Sequence, residues 1–212
     1  MRKNWVRNLR NFLTLAAMTT AVFIYAADAQ SERSGNVKTS IAKVTAFGTS
    51  TVIPAAGSTV TRNNAAAYWN ISTSSLPQGE VVTLWVAIFN YPFYCDQTAP
   101  GCEPSDLNNP LVDGSLQYGG GAVVGANGRA DFSGYLAVGD NTGFFILPPF
   151  PNMPNPAPGL VNTKGADIHF VIRKHGQASS DPATLQAQLS SFTGGCNIAN
   201  SCANIQASVH EP

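Results

Sequence analysis

The chain has 212 residues, 11% charged and 44% hydrophobic, and its 12 basic and 12 acidic side chains cancel to a formal charge of zero. That balance, with no basic stripe, excludes the electrostatic footprint of a nucleic-acid binder or of a protein held to anionic lipid. Nineteen Gly and 14 Pro, with plentiful Ser, Thr and Asn, favour a turn-rich fold over a helical one.

Arg2, Lys3, Arg7 and Arg10 precede an apolar stretch from Phe12 to Ala27 that ends in the small-residue run Ala27-Asp28-Ala29. This is the three-part layout of a secretion signal, with cleavage expected before Gln30. The apolar run, roughly 15 residues, falls short of the ~20 that span a bilayer as a helix. Residues 1–29 are therefore read as a signal peptide. The remainder is expected to be secreted or periplasmic, with no membrane contact after cleavage. Removing the signal leaves eight Lys/Arg against eleven Asp/Glu, so the exported chain is mildly acidic.

Residues 30–40 are polar and aperiodic and read as a flexible leader; 41–212 read as a single domain. Ala65 to Ser72 alternates, with Ala65, Ala67, Trp69 and Ile71 on one face, which predicts a half-buried strand. That strand contains the glycosylation sequon Asn70-Ile71-Ser72. Leu76-Pro77-Gln78-Gly79 turns the chain into Val81–Phe89, apolar on both faces and so expected to be a central strand. Next comes the aromatic run Phe89-Asn90-Tyr91-Pro92-Phe93-Tyr94, in which Tyr91-Pro92 is a candidate cis bond.

Ser115–Val124 and Ala130–Val138 flank Gly125-Ala126-Asn127-Gly128, whose Asn-Gly predicts a hairpin turn. Gly119-Gly120-Gly121 in its first arm predicts a bulge or the close approach of another backbone. Residues 147–158 hold six prolines and read as an extended surface loop, with Phe150 and Met153 adding apolar surface. Ala166–Arg173 resumes strand alternation with Ile168, Phe170 and Ile172 inward. Asp181 and Pro182 open a helix whose buried stripe is expected at Leu185, Leu189 and Phe192, and Gly194-Gly195 ends it. A last strand spans Ile205–His210.

Four cysteines fall in two close pairs, each bracketing turn formers. An oxidising compartment and an even count predict two disulfides, with local pairing Cys95–Cys102 and Cys196–Cys202 preferred among three connectivities. A four-thiolate zinc site is the lesser alternative, because its spacing is tighter.

No Gly-x-Ser-x-Gly elbow, His-Glu-x-x-His helix or glycine-rich helix-opening loop is present, and no catalytic residue is assigned. Binding is assigned to the aromatic loop, through Tyr91, Phe93 and Tyr94, and to the strand face bearing His169 and Arg173. Rigid aromatic area of this kind suits a carbohydrate or protein partner. No cofactor is expected. The alternative is a divalent metal ion, copper or zinc on His169 and His210, should their strands be neighbours. His169 and His175 lie about 20 Å apart if the strand runs on at ~3.3 Å per residue. Asp96, Glu103, Asp106, Asn108, Asn109 and Asp113 offer oxygen ligands suited to calcium, without the regular spacing of a calcium loop.

The segments VVTLWVAIFNYPFYC, YGGGAVVGANGRADF and GADIHFVIRKHG, with GGC before a further cysteine and a terminal QASVH, resemble a group of uncharacterised secreted bacterial proteins. The resemblance spans most of residues 65–210 and implies an exported β-sandwich without implying an activity. The expected fold is all-β, an antiparallel sandwich of immunoglobulin-like layout with one short helix near the C-terminus. The expected function is a non-enzymatic binding or structural module; the alternative is a protein that binds copper, zinc or calcium, with a metal-dependent enzyme centred on His169 and His210 as its catalytic form.

Overall fold

A computed structural model describes residues 37–96, 101–143, 150–196 and 202–212. The predicted signal peptide, leader residues 30–36, part of the proline-rich loop and the turns inside both cysteine pairs lie outside these residues. The strands are β1 Lys38–Ala46, β2 Val52–Arg62, β3 Ala66–Ser72, β4 Glu80–Phe89, β5 Gly114–Val123, β6 Asp131–Ala137, β7 Asp167–Gln177 and β8 Ala203–His210. One α-helix, α1, spans Pro182–Ser190 among the described residues. β1 begins three residues inside the stretch read as leader, where Lys38 pairs with Arg62.

All ladders between these strands are antiparallel, and they join the strands into one sheet of order β5-β4-β7-β8-β1-β2-β3-β6, nearly closed into a barrel. The predicted antiparallel β fold with a single helix is what forms. The ladder differs from the two separate sheets of an immunoglobulin-like layout, because β8 and β1 connect through Thr45–Ala207 and Ala46–Gln206. Register shifts in the β1–β2, β4–β5, β4–β7 and β7–β8 pairs supply the bends by which one sheet curls round on itself.

The strongest apolar run takes the most protected place. All ten residues of β4 are buried, and β4 lies between β5 and β7 as expected of a strand apolar on both faces. Its inner residues Val82, Leu84, Val86 and Ile88 meet Trp69, Ile71, Phe132, Ile168, Phe170 and Ile172 in the interior cluster. Of the residues assigned inward, Ala67, Trp69 and Ile71 of β3 and Ile168, Phe170 and Ile172 of β7 join that cluster, whereas Ala65 lies just before β3 and is exposed.

Arg62 closes one end of the interior. It is 1% exposed and donates to the carbonyls of Ala166 and His210 at 2.5 Å and of Thr163 at 3.4 Å. Burial lowers its pKa, opposed by the charge of Asp167.

The predicted hairpin is corrected. The turn closes, with Gly128 N–H donating to Gly125 O, but β5 ladders with β4 and β6 with β3. No ladder joins β5 to β6 among the described residues, so they are the two edges of a seam. The triple glycine explains part of this. Gly119 is the bulged residue between the Leu84–Gly120 and Trp85–Tyr118 pairs, and at Gly121 a Cβ would collide with the backbone carbonyl of Leu189 in α1. Both expectations for this stretch, a bulge and a close backbone, are met.

In α1, Asp181 caps as expected by accepting from Thr184 N–H at 2.9 Å. The buried stripe is not the predicted one: Leu185 and Leu189 are half-buried, while Gln188 is 1% exposed. Its amide donates to the carbonyls of His175 and Gln177 and accepts from Ser179 N–H. The helix thus docks through a polar side chain that satisfies the end of β7. The peptide bond Tyr91–Pro92 is not cis, whereas Asn155–Pro156 is. Met153 of the proline-rich loop is buried rather than surface-forming.

Candidate functional site

The outer face of the β5-β4-β7 segment carries a second apolar cluster. Trp85, Ala87 and Phe89 of β4 and Leu116 of β5 are covered by Cys95, Cys102, Leu107, Val112 and Met153, with Phe150, Val171 and Phe192 packed against them. This cover is irregular chain, held by the two expected local disulfides, Cys95–Cys102 and Cys196–Cys202, with Cα separations of 5.2 and 5.3 Å. Disulfides fit an oxidising compartment. No helix among the described residues is long and apolar enough to cross a membrane.

Loop cover packs less completely than a facing sheet. A cavity of about 580 Å³ lies here, walled by Trp85, Phe89, Leu116, Phe150, Val171 and Phe192. Thr49, Ser50, Glu103 and Asn204 give it a polar margin. His169 also lines it, its ring 4.8 Å from that of Phe89. His169 Nε2 donates to Asp167 Oδ2 at 2.9 Å. Asp167 is 1% exposed and also accepts from Cys102 N–H at 3.3 Å. With Nε2 engaged by Asp167, Nδ1 is the ring nitrogen left for a further hydrogen bond.

Arg173 stands on the same strand face. Its guanidinium lies 3.9 Å from the centre of the Phe192 ring and donates to Phe192 O and to Asn204 Oδ1. Phe192 in turn meets Trp85 edge-on at 5.1 Å. Arg173 therefore fixes a wall of the cavity. Tyr91, Phe93 and Tyr94 form a separate surface on a 3-10 turn at Pro92–Tyr94. Phe93 is 66% and Tyr94 43% exposed, with ring centres at 6.2 Å for Tyr91–Phe93 and 4.1 Å for Phe93–Tyr94.

His210 is not brought to His169. The strands are neighbours, as that pairing required, but His210 stands opposite Ile168 and points inward, while His169 faces out. Ser40 and Ser58 hydroxyls occupy both ring nitrogens of His210 at 2.8 Å, which leaves no lone pair for an ion shared with His169. Burial, reinforced by the charge of Arg62, lowers its pKa to about 4.

His175 does share the outer face and is fully buried. Its Nδ1 meets Gly194 O, so Nδ1 carries the hydrogen, and Nε2 accepts from Thr83 Oγ1, which accepts from Trp85 Nε1–H. Burial lowers its pKa, with the Gly194 carbonyl opposing. Of the acidic set, Asp106 is buried and accepts from Asp96 N–H and Glu103 N–H, capping the 3-10 turn at Pro104–Asn108. Asn109 accepts from Leu111 N–H and donates to Tyr94 O. These groups order loops. Cys95 and Cys102 lie beside Asp106, and Cys196 and Cys202 beside His175, at metal-ligand spacing, with all four sulfurs in disulfides.

The sequence assigned His169 and Arg173 to a site, left Asp167 unassigned as one of two acidic residues, with Asp131, that strand topology could bring to a histidine, and missed Trp85 and Phe192. Asp167, two residues from His169, had the same-face spacing that signals a partner. Compared with protein-family models, curated proteins and solved structures, the chain matches none.

Proposed function

We propose that the protein is an exported, non-enzymatic binding module. Its ligand is a small molecule with an apolar, preferably aromatic, body and one hydrogen-bond donor. The observation that carries this reading is the 580 Å³ cavity with aromatic and aliphatic walls and a single buried-carboxylate-oriented imidazole, His169 on Asp167. Small-molecule sites combine a mostly apolar wall with a few placed polar groups in volumes of roughly 300–1,000 Å³. The ligand's donor meets Nδ1 of His169, its body lies against the wall that Trp85 and Phe192 form together, and Arg173 holds that wall in place. The aromatic loop at Tyr91, Phe93 and Tyr94 is a second contact surface, for carbohydrate or protein.

Titration with 1-naphthol and with naphthalene, read by isothermal calorimetry, tests the reading. Naphthol is expected to bind more tightly than naphthalene, His169→Phe to erase that preference, and Val171→Trp to block both. Absence of binding by either, or indifference to Val171→Trp, would overturn it.

A further inference from the structure

The described residues contain five buried side-chain nitrogen or oxygen atoms without a hydrogen-bond partner: Trp69 Nε1, Gln117 Nε2 and Oε1, Asp167 Oδ1 and Gln206 Oε1. Trp69 and Gln117, the two side chains that carry the first three, line one cavity of about 410 Å³ at the β5–β6 seam. Gln117 is 3% and Trp69 7% exposed. Burying an amide and an indole N–H unpaired is costly, so three such atoms converging on one space mark a site rather than an accident of packing.

The seam explains the access. Where β5 and β6 fail to ladder, the inward residues Gln117 of β5 and Trp69 of β3 are reached from the side of the barrel. Gly119, Gly134 and Gly143 line the same cavity, so no side chains fill it there. At Gly134 a Cβ would meet the Trp69 ring at 2.6 Å, and at Gly143 it would crowd Gln117 Oε1 at 3.3 Å. Tyr118 and the 63% exposed Tyr135 stand at the rim with Asp140. Asp140 accepts from the backbone and hydroxyl of Thr142, which holds its carboxyl below the usual range and keeps it an acceptor at neutral pH.

The donor set selects the ligand. An apolar molecule would leave Gln117 and Trp69 unpaired, and an anion would meet Asp140 with no cation lining the cavity. A group that both donates and accepts satisfies all of them, and a hydroxyl is that group. We propose that this seam cavity binds a pyranose ring: its hydroxyls accept from Trp69 Nε1 and Gln117 Nε2 and donate to Gln117 Oε1 and Asp140, and its C–H face lies against the tyrosine rim. This site is distinct from the outer-face cavity and stands without it.

The test is NMR titration of the exported protein with methyl α-D-glucopyranoside and methyl β-D-galactopyranoside at millimolar concentration. The expected result is saturable shifts of the Trp69 indole and Gln117 amide resonances with at least one glycoside. Gln117→Leu and Trp69→Phe are each expected to weaken binding by roughly ten-fold, the loss of one well-made buried hydrogen bond. Gln117→Leu also removes an unpaired polar group, so it should fold at least as well as the parent chain. If Gln117→Leu does not fold, Trp69→Phe and the residue-resolved shifts decide alone. No shift with either glycoside, or binding unchanged in the variant that folds, overturns the proposal.

Discussion

The two faces of β4 sit in different kinds of protein. Inward, Val82, Leu84, Val86 and Ile88 meet other strands, and the interior is held by ladders and by Arg62 across its end. Outward, Trp85, Ala87 and Phe89 meet loops, a disulfide and a few aromatic rings, and there the 580 Å³ cavity lies. A facing sheet repeats every two residues and fills space by geometry. Irregular chain fills space one side chain at a time and needs covalent staples to stay down. The difference teaches where to look for function in such a fold: on the side whose cover is least regular.

The sharpest way to break the inner region is Arg62→Met, which leaves the carbonyls of Ala166 and His210 buried without a donor. It should cost about 1–3 kcal/mol for each carbonyl left unpaired, read as a fall in the urea midpoint. A cost under a tenth of that range would mean the end of the barrel is wet.

Acid comes next. The pKa of His210 in the fold, about 4, lies below its ordinary 6.5, so the unfolded chain takes the proton first. The stability is therefore whole above pH 6.5, declines as pH falls from there to about 4, and declines no further below that on this account. The loss amounts to about 3 kcal/mol. His175 on the outer face moves in the same direction. Urea melts of His210→Gln against pH should lose most of this slope, and an unchanged slope would assign it to other groups.

Replacing Cys95 and Cys102 by serine tests the outer region. Freeing so short a loop should cost about 2–3 kcal/mol by chain entropy, and should weaken naphthol binding while the glycoside site at the seam is untouched. Equal damage to both sites would erase the distinction between the two regions. The smallest effect is Asp181→Ala, which removes the cap of α1 and should be seen first as faster amide exchange in the helix.

What was legible in the sequence followed from local pattern. Val81–Phe89 could only be a central strand, Asp181-Pro182 could only start a helix, and cysteines bracketing turns could close locally. β1 and β2 escaped notice because KTSIAKVTA and VIPAAGSTVTR are half-exposed strands without a strong apolar period. Asn-Gly announced a turn correctly, but a turn does not say which strand each arm will pair with. Gln188 buries itself where Leu185 and Leu189 were expected, because the carbonyls at the end of β7 need a donor more than the sheet needs another leucine. Trp69 and Gln117 come together only through the sheet order, which no local window contains. Arg62 reads in sequence as an ordinary surface arginine.

The place of β8 in the sheet has a consequence for folding. It lies between β7 and β1, so two interior ladders wait for Ala203–His210, and Thr45 pairs with Ala207. Until β8 is in place, the facing edges of β7 and β1 have no strand to join them. Such contacts, distant in sequence, form slowly. Without β8 the sheet divides into a three-stranded piece, β5-β4-β7, and a four-stranded piece, β1-β2-β3-β6, with no ladder between them among the described residues.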